Sequence, residues 1–211
     1  MKANGGVVIA NPNAPTSLFT ETAELEKVVA ANPDSVVIID EAYVDFAKDS
    51  MLSYIDKYDN LLVVRTYSKS RSLAGLRIGY AIGNKELINA LNSVKLSYNS
   101  YTMNMPSQIM GAAAIADNDY FEATVEKIIA TREATSEKLK EMGFKVLPSS
   151  TNFLFVSHKD VPAEYIFEEL RKDNIYVRYF KKPKINNFLR ITIGTDEEME
   201  IFLKKVLTTL K

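Results

Sequence analysis

The sequence predicts an α/β fold, a three-layer domain in which helices cover a parallel-rich sheet, followed by a smaller α+β domain. Short apolar runs at Val7–Ala10, Val36–Ile39 and Leu61–Val64 are continuous, which is typical of strands that are covered on both faces. Stretches with helical character alternate with these runs, and such alternation is the pattern of a parallel sheet with crossover helices.

The first domain is predicted to span residues 1–118. Leu25, Val28 and Val29 lie at helical spacing between the first two runs. A fourth strand is predicted over residues 78–82, ended by Gly83. Residues 86–96 and 106–116 are predicted to form helices that pack against the sheet.

The second domain is predicted to span residues 119–211. It opens with a long amphipathic helix that ends at Gly143, the residue type that favours a helix C-terminus. Strands are then predicted at 144–147, 152–156, 175–178 and 188–193, with a helix around Ile166 and Leu170. A capping box from Thr195 to Glu198 predicts the start of the last helix.

Composition excludes several classes of function. The net charge is −1, with 26 basic and 27 acidic residues. The chain therefore lacks the excess of basic residues that would indicate nucleic acid as a partner. No apolar run is long enough to span a bilayer, and small molecules are the expected ligands. The chain has no cysteine, which fits a cytoplasmic location and excludes thiol catalysis. We predict no metal site, and we expect the one histidine, His158, in an exposed loop.

The chain opens almost directly on a strand that we predict to be buried. A parallel sheet of only three or four strands normally continues on another chain segment, because its edge strands would otherwise be exposed. We therefore expect that the coding region has been truncated.

Polar residues follow each of the three apolar runs. In open α/β sheets, ligands bind beyond the carboxyl ends of the strands, so these residues are the candidates for a site. They form an Asn/Pro turn, a carboxylate followed by a phenol, and a cluster of hydroxyls, a lysine and an arginine: Asn11–Thr16, Asp40–Tyr43 and Arg65–Arg77.

These segments together resemble the fold-type-I pyridoxal-phosphate aminotransferases, and most closely the histidinol-phosphate aminotransferase family. The resemblance covers nearly the whole chain and corresponds to about the carboxy-terminal three-fifths of such an enzyme. It is carried by the three strand ends and by further segments at Ser97–Ser100, Pro148–Phe153 and Leu189–Thr195. The predicted fold is thus the large domain of a pyridoxal-phosphate transferase, truncated, followed by its small domain.

The resemblance implies roles around the cofactor, pyridoxal 5'-phosphate. Lys69 holds the cofactor aldehyde as a Schiff base and serves as the general base. Asp40 keeps the pyridine nitrogen protonated, because a nearby anion favours the charged form. Tyr43 donates a hydrogen bond to the 3-hydroxyl of the ring. The expected catalytic residues are therefore Lys69, Asp40 and Tyr43.

Further residues are assigned to the phosphate and the substrate by the same resemblance. The phosphate is bound by Thr66, Ser68 and Arg77. Arg190 resembles the arginine that binds the carboxylate of the amino-acid substrate, which places the site between the domains. Arg178, which precedes Tyr179 and Phe180, is a candidate apart from the resemblance: it contacts a distal acid group or a phosphate of the substrate, or it is a surface arginine at a strand end.

One position departs from the family pattern. Relatives have an asparagine directly before Pro-Thr that bonds the cofactor 3-hydroxyl, and here that position is Ala14. We assign Asn13 as its substitute. The glycine-rich loop and the stacking aromatic of the family are not in this sequence.

The implied activity is transamination of histidinol phosphate with 2-oxoglutarate, giving imidazole acetol phosphate and glutamate, in histidine biosynthesis. The full-length enzyme is expected to be a homodimer. Two alternatives stay open: another pyridoxal-phosphate enzyme, such as an aromatic aminotransferase or a phospho-amino-acid decarboxylase, and a non-catalytic truncated α/β fragment.

Overall fold

The computed structural model describes residues 4–211, and the chain divides into two compact units. Residues 4–14 and 19–122 belong to the first unit, and residues 15–18 and 123–211 belong to the second. The first three residues of the predicted first domain lie outside the described residues. The predicted boundary between residues 118 and 119 falls at the start of a long helix and stays a prediction.

The first unit contains a four-stranded mixed sheet in the order β1-β2-β3-β4. Its strands are β1 (Val7–Ala10), β2 (Val37–Asp40), β3 (Leu61–Thr66) and β4 (Gly79–Gly83). The first three are parallel, and β4 pairs antiparallel with β3. The predicted parallel-rich α/β class is confirmed, and the antiparallel edge strand is an arrangement that α/β sheets commonly carry.

One face of this sheet forms the core of the first unit. Helix α1 (Thr22–Ala30) packs Leu25 and Val29 onto buried residues of β2 and β3, among them Ile39 and Val63. The helix follows from the apolar spacing, because residues three and four apart share one face.

The expectation that every strand is covered on both faces is wrong for β1, since 72% of Val8 is exposed. A continuous apolar run does not show which neighbours cover it.

Two helices follow β4 in the first unit, α2 (Lys85–Tyr98) and α3 (Met105–Ala116). Helix α3 packs closely at Gly111, where an added Cβ would lie 2.8 Å from the side chain of Ile78. Ser107 in the same helix donates a hydrogen bond of 3.0 Å to the carbonyl of Leu76. Helix α2 contacts β4, and Leu87 and Ile88 are half-buried, but none of its residues is fully buried.

Helix α4 (Asn118–Glu141) begins in the first unit and continues into the second. The second unit has an antiparallel sheet in the order β5-β6-β8-β7. Its elements after α4 are β5 (Phe144–Val146), β6 (Phe153–His158), α5 (Ala163–Lys172), β7 (Arg178–Tyr179), β8 (Leu189–Thr192) and α6 (Asp196–Thr209). The predicted α+β composition of this region is observed.

The capping box of α6 is formed as predicted. The Thr195 hydroxyl accepts from the backbone N–H of Glu198 at 3.3 Å, and the Glu198 carboxylate accepts from the backbone N–H of Thr195 at 2.8 Å. The exchange satisfies two helix-end donors that would otherwise lack a partner.

The prediction for His158 is wrong. It is the last residue of β6, and only 8% of it is exposed. Its Nδ1 accepts from the backbone N–H groups of Asp160 and Val161, and its ring packs edge-on against Phe144 at 4.9 Å. The polar sequence around it indicated a loop, but β6 continues to this position and the ring packs against Phe144.

The predicted strand at 175–178 is also wrong in extent. The pairing with β8 begins at Arg178, and residues 175–177 carry no strand pairing. Ile175 and Val177 instead pack against the core of the second unit as an irregular segment.

Within the described part of the chain, no helix is both long and apolar enough to cross a membrane.

Candidate active site at the carboxyl ends of the strands

The register of the first sheet brings most predicted site residues of the first unit to one edge. Asp40 ends β2 and pairs with Ala10 of β1, so the Asn11–Thr16 loop leaves the sheet beside it. Strand β3 runs parallel to β2 and ends at Thr66, and the antiparallel β4 begins opposite it at Gly79. The residues that follow β1 to β3, and those that precede β4, therefore lie at the same edge.

Asp40 is partly buried, and its carboxylate accepts a hydrogen bond of 3.0 Å from the backbone N–H of Ala42. This bond tightens the turn after β2, as aspartate side chains commonly do. It also keeps the carboxylate at the strand end.

Glu41, the next residue, points into the protein and is only 2% exposed. Its carboxylate accepts from Arg65 Nε at 3.0 Å, from Arg65 Nη2 at 2.9 Å and from the backbone N–H of Met51 at 2.7 Å. Ser50 donates to the same group at 2.8 Å. Arg65 is half-buried; burial alone would lower its pKa, but the hydrogen bonds and charge of Glu41 outweigh that effect, so its pKa stands above the usual value.

The lysine loop, residues 67–77, is held by backbone and hydroxyl hydrogen bonds. The N–H of Tyr67 donates to Ile78 at 3.1 Å, and the N–H of Leu73 donates back to Tyr67 at 3.0 Å. The Thr66 hydroxyl lies 2.9 Å from the Ser68 hydroxyl and accepts from the Ser68 backbone N–H at 3.1 Å. The two hydroxyls thus form one cluster at the end of β3.

Lys69 and Tyr43 meet across two neighbouring loops. The Lys69 ammonium lies 5.3 Å from the centroid of the Tyr43 ring, within the range of a cation–π contact. Tyr43 belongs to the loop after β2, three residues beyond Asp40. Lys69 is therefore directed toward the loop that follows Asp40, although the two loops come from different strands.

Arg77 closes the lysine loop in a left-handed conformation, with φ of 55°. This region is costly for a residue with a Cβ and calls for a compensating role. Its guanidinium is exposed and makes one hydrogen bond of 3.3 Å, to the carbonyl of Ala74. Arg77 lies two residues before β4, whose first residue, Gly79, pairs with Thr66. Asn13 is partly buried in the loop after β1.

The two remaining predicted residues belong to the second unit. Arg190 lies in β8 and pairs directly with Arg178 of β7. The Arg190 guanidinium lies 5.1 Å from the ring centroid of Phe153. Its Nε is buried without a hydrogen-bond partner among residues 4–211. A buried guanidinium nitrogen without an acceptor is unusual in a folded protein.

Sequence reasoning missed two contacts of the lysine loop. Ser70 donates a hydrogen bond to Asp45. Arg71 donates to the carbonyl of Ala114, in the last turn of α3, and its guanidinium lies 3.9 Å from the ring centroid of Phe121. Neither contact follows a periodic pattern; the only signal in the sequence was that both residues lie close to Lys69.

No group of three or more His, Cys, Asp or Glu side chains within the described chain could hold a metal ion.

Comparisons with known proteins decide the family. The aminotransferase class I and II family matches residues 2–206. The chain belongs to the class I and II aminotransferases. It is 55% identical over 209 residues to a histidinol-phosphate aminotransferase of Brachyspira hyodysenteriae, a match that covers 99% of this chain and 59% of the relative. The chain thus spans about three-fifths of the length of the curated relatives that it matches.

Solved aminotransferase structures share the fold. The histidinol-phosphate aminotransferase of Clostridium acetobutylicum superimposes with a TM-score of 0.90 at 25% identity, covering 98% of this chain and 64% of that one. The enzyme of Sinorhizobium meliloti, solved in complex with pyridoxal-5'-phosphate, gives a TM-score of 0.84 at 29% identity, covering 98% and 57%. The predicted resemblance to the histidinol-phosphate aminotransferases is confirmed.

Proposed function

We propose that this chain carries the lysine-bearing part of a pyridoxal-phosphate-dependent aminotransferase that exchanges the amino group between histidinol phosphate and 2-oxoglutarate. The observation that carries the proposal is the placement of Asp40 at the end of β2 and of Lys69 in the loop after the neighbouring parallel strand β3, with the Lys69 ammonium 5.3 Å from the centroid of the Tyr43 ring. The similarity to histidinol-phosphate aminotransferases supports the choice of substrate.

The residues at the sheet edge fit the cofactor by their chemistry. Two clustered hydroxyls, Thr66 and Ser68, and the outward guanidinium of Arg77 are suited to a phosphate, which accepts several charge-assisted hydrogen bonds. The carboxylate of Asp40 is suited to a protonated ring nitrogen, and the phenol of Tyr43 to the ring hydroxyl. Asn13 is proposed as a second donor to that hydroxyl. Pyridoxal phosphate, when bound, supplies an aldehyde for an amine and an electron-withdrawing ring.

Each residue then has a role that its own chemistry allows. The Lys69 amine would hold the cofactor through its aldehyde and, as the free amine, would take and return a proton at the substrate carbon. The Asp40 carboxylate accepts a hydrogen bond from the Ala42 N–H and would stabilise the positive charge of a protonated ring nitrogen. Tyr43 contacts the Lys69 ammonium through its ring and is suited to orient that side chain.

The arginines of the second sheet are proposed to bind the substrate. Arg190 would bind a substrate carboxylate, which is supported by its buried Nε without a partner. Arg178, directly opposite, would bind a distal acid group or a phosphate. A guanidinium is the side chain best suited to such planar, charged acceptors.

Assembly and location are proposed with the function. Apolar side chains are exposed on the first unit, and both Tyr98 and Tyr101 are 92% exposed. Exposed apolar patches mark interaction surfaces, which supports a homodimer in the full-length enzyme. The absence of cysteine from all 211 residues supports a cytoplasmic location.

A spectroscopic half-reaction tests the proposal. The purified chain, loaded with pyridoxal phosphate, is mixed with glutamate, and the absorption band of the bound cofactor is followed. We expect the band to be lost with glutamate and restored by imidazole acetol phosphate but not by phenylpyruvate. Restoration by phenylpyruvate alone would favour an aromatic aminotransferase, and no cofactor binding would favour the non-catalytic fragment.

A further inference from the structure

One face of the second sheet carries arginine side chains next to phenylalanines, of which Phe153 and Phe155 are buried. Leu154, Leu189 and Ile191 lie in the hydrophobic core of the second unit. Because side chains alternate along a strand, the residues between them, such as Arg190, project from the opposite face. Arg178 is paired directly with Arg190, and directly opposed residues of an antiparallel pair share a face.

Phe180 joins the two arginines on that face. It stands two residues after Arg178 in extended chain and therefore points to the same side. The guanidinium carbon of Arg178 lies 5.5 Å from the centroid of its ring, and that of Arg190 lies 5.8 Å from it. One neutral ring thus contacts two cations that face each other across a strand pair.

The arrangement lacks the usual compensation for two like charges. Like charges directly opposite in a sheet destabilise it. Within residues 4–211, no ion pair involves either arginine. A carboxylate neighbour would neutralise the pair and occupy its donors. A phenyl ring instead attracts both guanidinium groups through its negative face and leaves their N–H donors available.

We infer that Phe180 is a positioning residue that holds Arg178 and Arg190 in place for one anion with two negative charges. This inference rests on the substrate role proposed for the two arginines. The substrate class is a dicarboxylate or a phosphate monoester, because each can engage both guanidinium groups. A monocarboxylate engages one of them, so the paired site sets a preference for dianions.

Binding of three anions to the 211-residue chain tests the inference. Calorimetry gives the Kd for 2-oxoglutarate, for inorganic phosphate and for pyruvate, and the ratio of the pyruvate Kd to the 2-oxoglutarate Kd measures the preference. Comparison of the phosphate and 2-oxoglutarate arms shows which dianion the pair favours. Phe180→Leu should reduce the ratio about fivefold to tenfold, the loss of two partly desolvated cation–π contacts, whereas Phe180→Tyr should preserve it within about twofold.

A matched control is Phe167→Leu. Phe167 also contacts an arginine, with the Arg171 guanidinium 5.4 Å from its ring, but it belongs to α5. This variant should leave the ratio unchanged. An equal loss in Phe167→Leu and Phe180→Leu would overturn the inference, since it would show that the effect is general destabilisation.

Arg190→Ala separates this inference from the proposed function. Unchanged affinity of Arg190→Ala for 2-oxoglutarate would overturn both. Weakened affinity in Arg190→Ala together with an unchanged ratio in Phe180→Leu would overturn the role of Phe180 alone. If Phe180→Leu does not fold, the nitrogen chemical shift of Arg190 Nε is measured by NMR instead. This shift should change when 2-oxoglutarate is added to the wild type and to Phe180→Tyr. An unchanged shift in both proteins would contradict the inference.

Discussion

Arg65 and Glu41 form an ion pair beside the ends of β3 and β2, in which Arg65 Nε and Nη2 lie 3.0 and 2.9 Å from the same carboxylate oxygen of Glu41. Glu41 follows Asp40 directly, and Arg65 directly precedes Thr66. The pair therefore joins the ends of β2 and β3 at the positions from which a carboxylate and a hydroxyl emerge. We infer that it fixes the spacing of those two groups.

Removal of this ion pair should destabilise the first unit. Glu41→Gln leaves the Arg65 charge without its partner, and breaking a buried pair in this way costs about 3 kcal/mol of unfolding free energy. Urea denaturation measures the loss. Glu168→Gln is the control, because its pair with Arg171 is exposed and should contribute less than about 1 kcal/mol. A loss at Glu41 no larger than at Glu168 would contradict the structural role.

Asp40→Asn should slow the chemistry and spare binding of the cofactor. An amide cannot hold the ring nitrogen protonated as a carboxylate does, so the rate of the glutamate half-reaction should fall by a factor on the order of 100 or more. Rapid-mixing spectroscopy gives the rate, and titration gives the affinity for pyridoxal phosphate. Asp34→Asn, in an exposed turn, should react at the wild-type rate. A near-normal rate for Asp40→Asn would remove the role assigned to it.

The sequence predicted the residues of the site better than their surroundings. Asp40, Thr66 and Lys69 could be located because each follows a continuous apolar run, and the ends of parallel strands meet at one edge. The direction of β4 could not be predicted, because an apolar run has no direction. The packing of His158 and of Phe180 depends on strand register, which brings together residues that are distant in the sequence.

Arg190→Lys should weaken substrate binding more than it slows turnover at saturation. A lysine keeps the charge but loses the planar pair of donors, so the KM for glutamate should rise about tenfold or more. Steady-state kinetics with both substrates, at varied glutamate concentrations, separate the two effects. Arg171→Lys is the control, since that guanidinium pairs with exposed Glu168 on α5. Equal KM values for wild type and Arg190→Lys would count against the carboxylate role.

The acid stability of the second unit should depend on Asp196. Hydrogen bonds from Lys127 and then Thr131 lower the pKa of this carboxyl below its usual value near 3.8. A lowered pKa in the folded state contributes stability that is present above the unfolded pKa and is lost as the pH falls through the folded pKa. Asp196→Asn should therefore flatten the fall in unfolding free energy below about pH 4.

Denaturation curves between pH 7 and the acid limit measure this dependence. Lys127→Met removes the first partner of Asp196 and should reproduce most of the flattening. A pH profile identical to wild type in both variants would show that the contact contributes nothing in solution.

The proposed function requires that Lys69 is the amine that carries the cofactor. The chain is incubated with pyridoxal phosphate, reduced with borohydride, digested and analysed by mass spectrometry, with Lys69→Ala as the test variant and Lys85→Ala, an exposed lysine of α2, as the control. We predict that the label lies on the peptide containing Lys69, persists in Lys85→Ala and disappears in Lys69→Ala. Label on another lysine of the wild type, or an undiminished label in Lys69→Ala, would contradict the assignment.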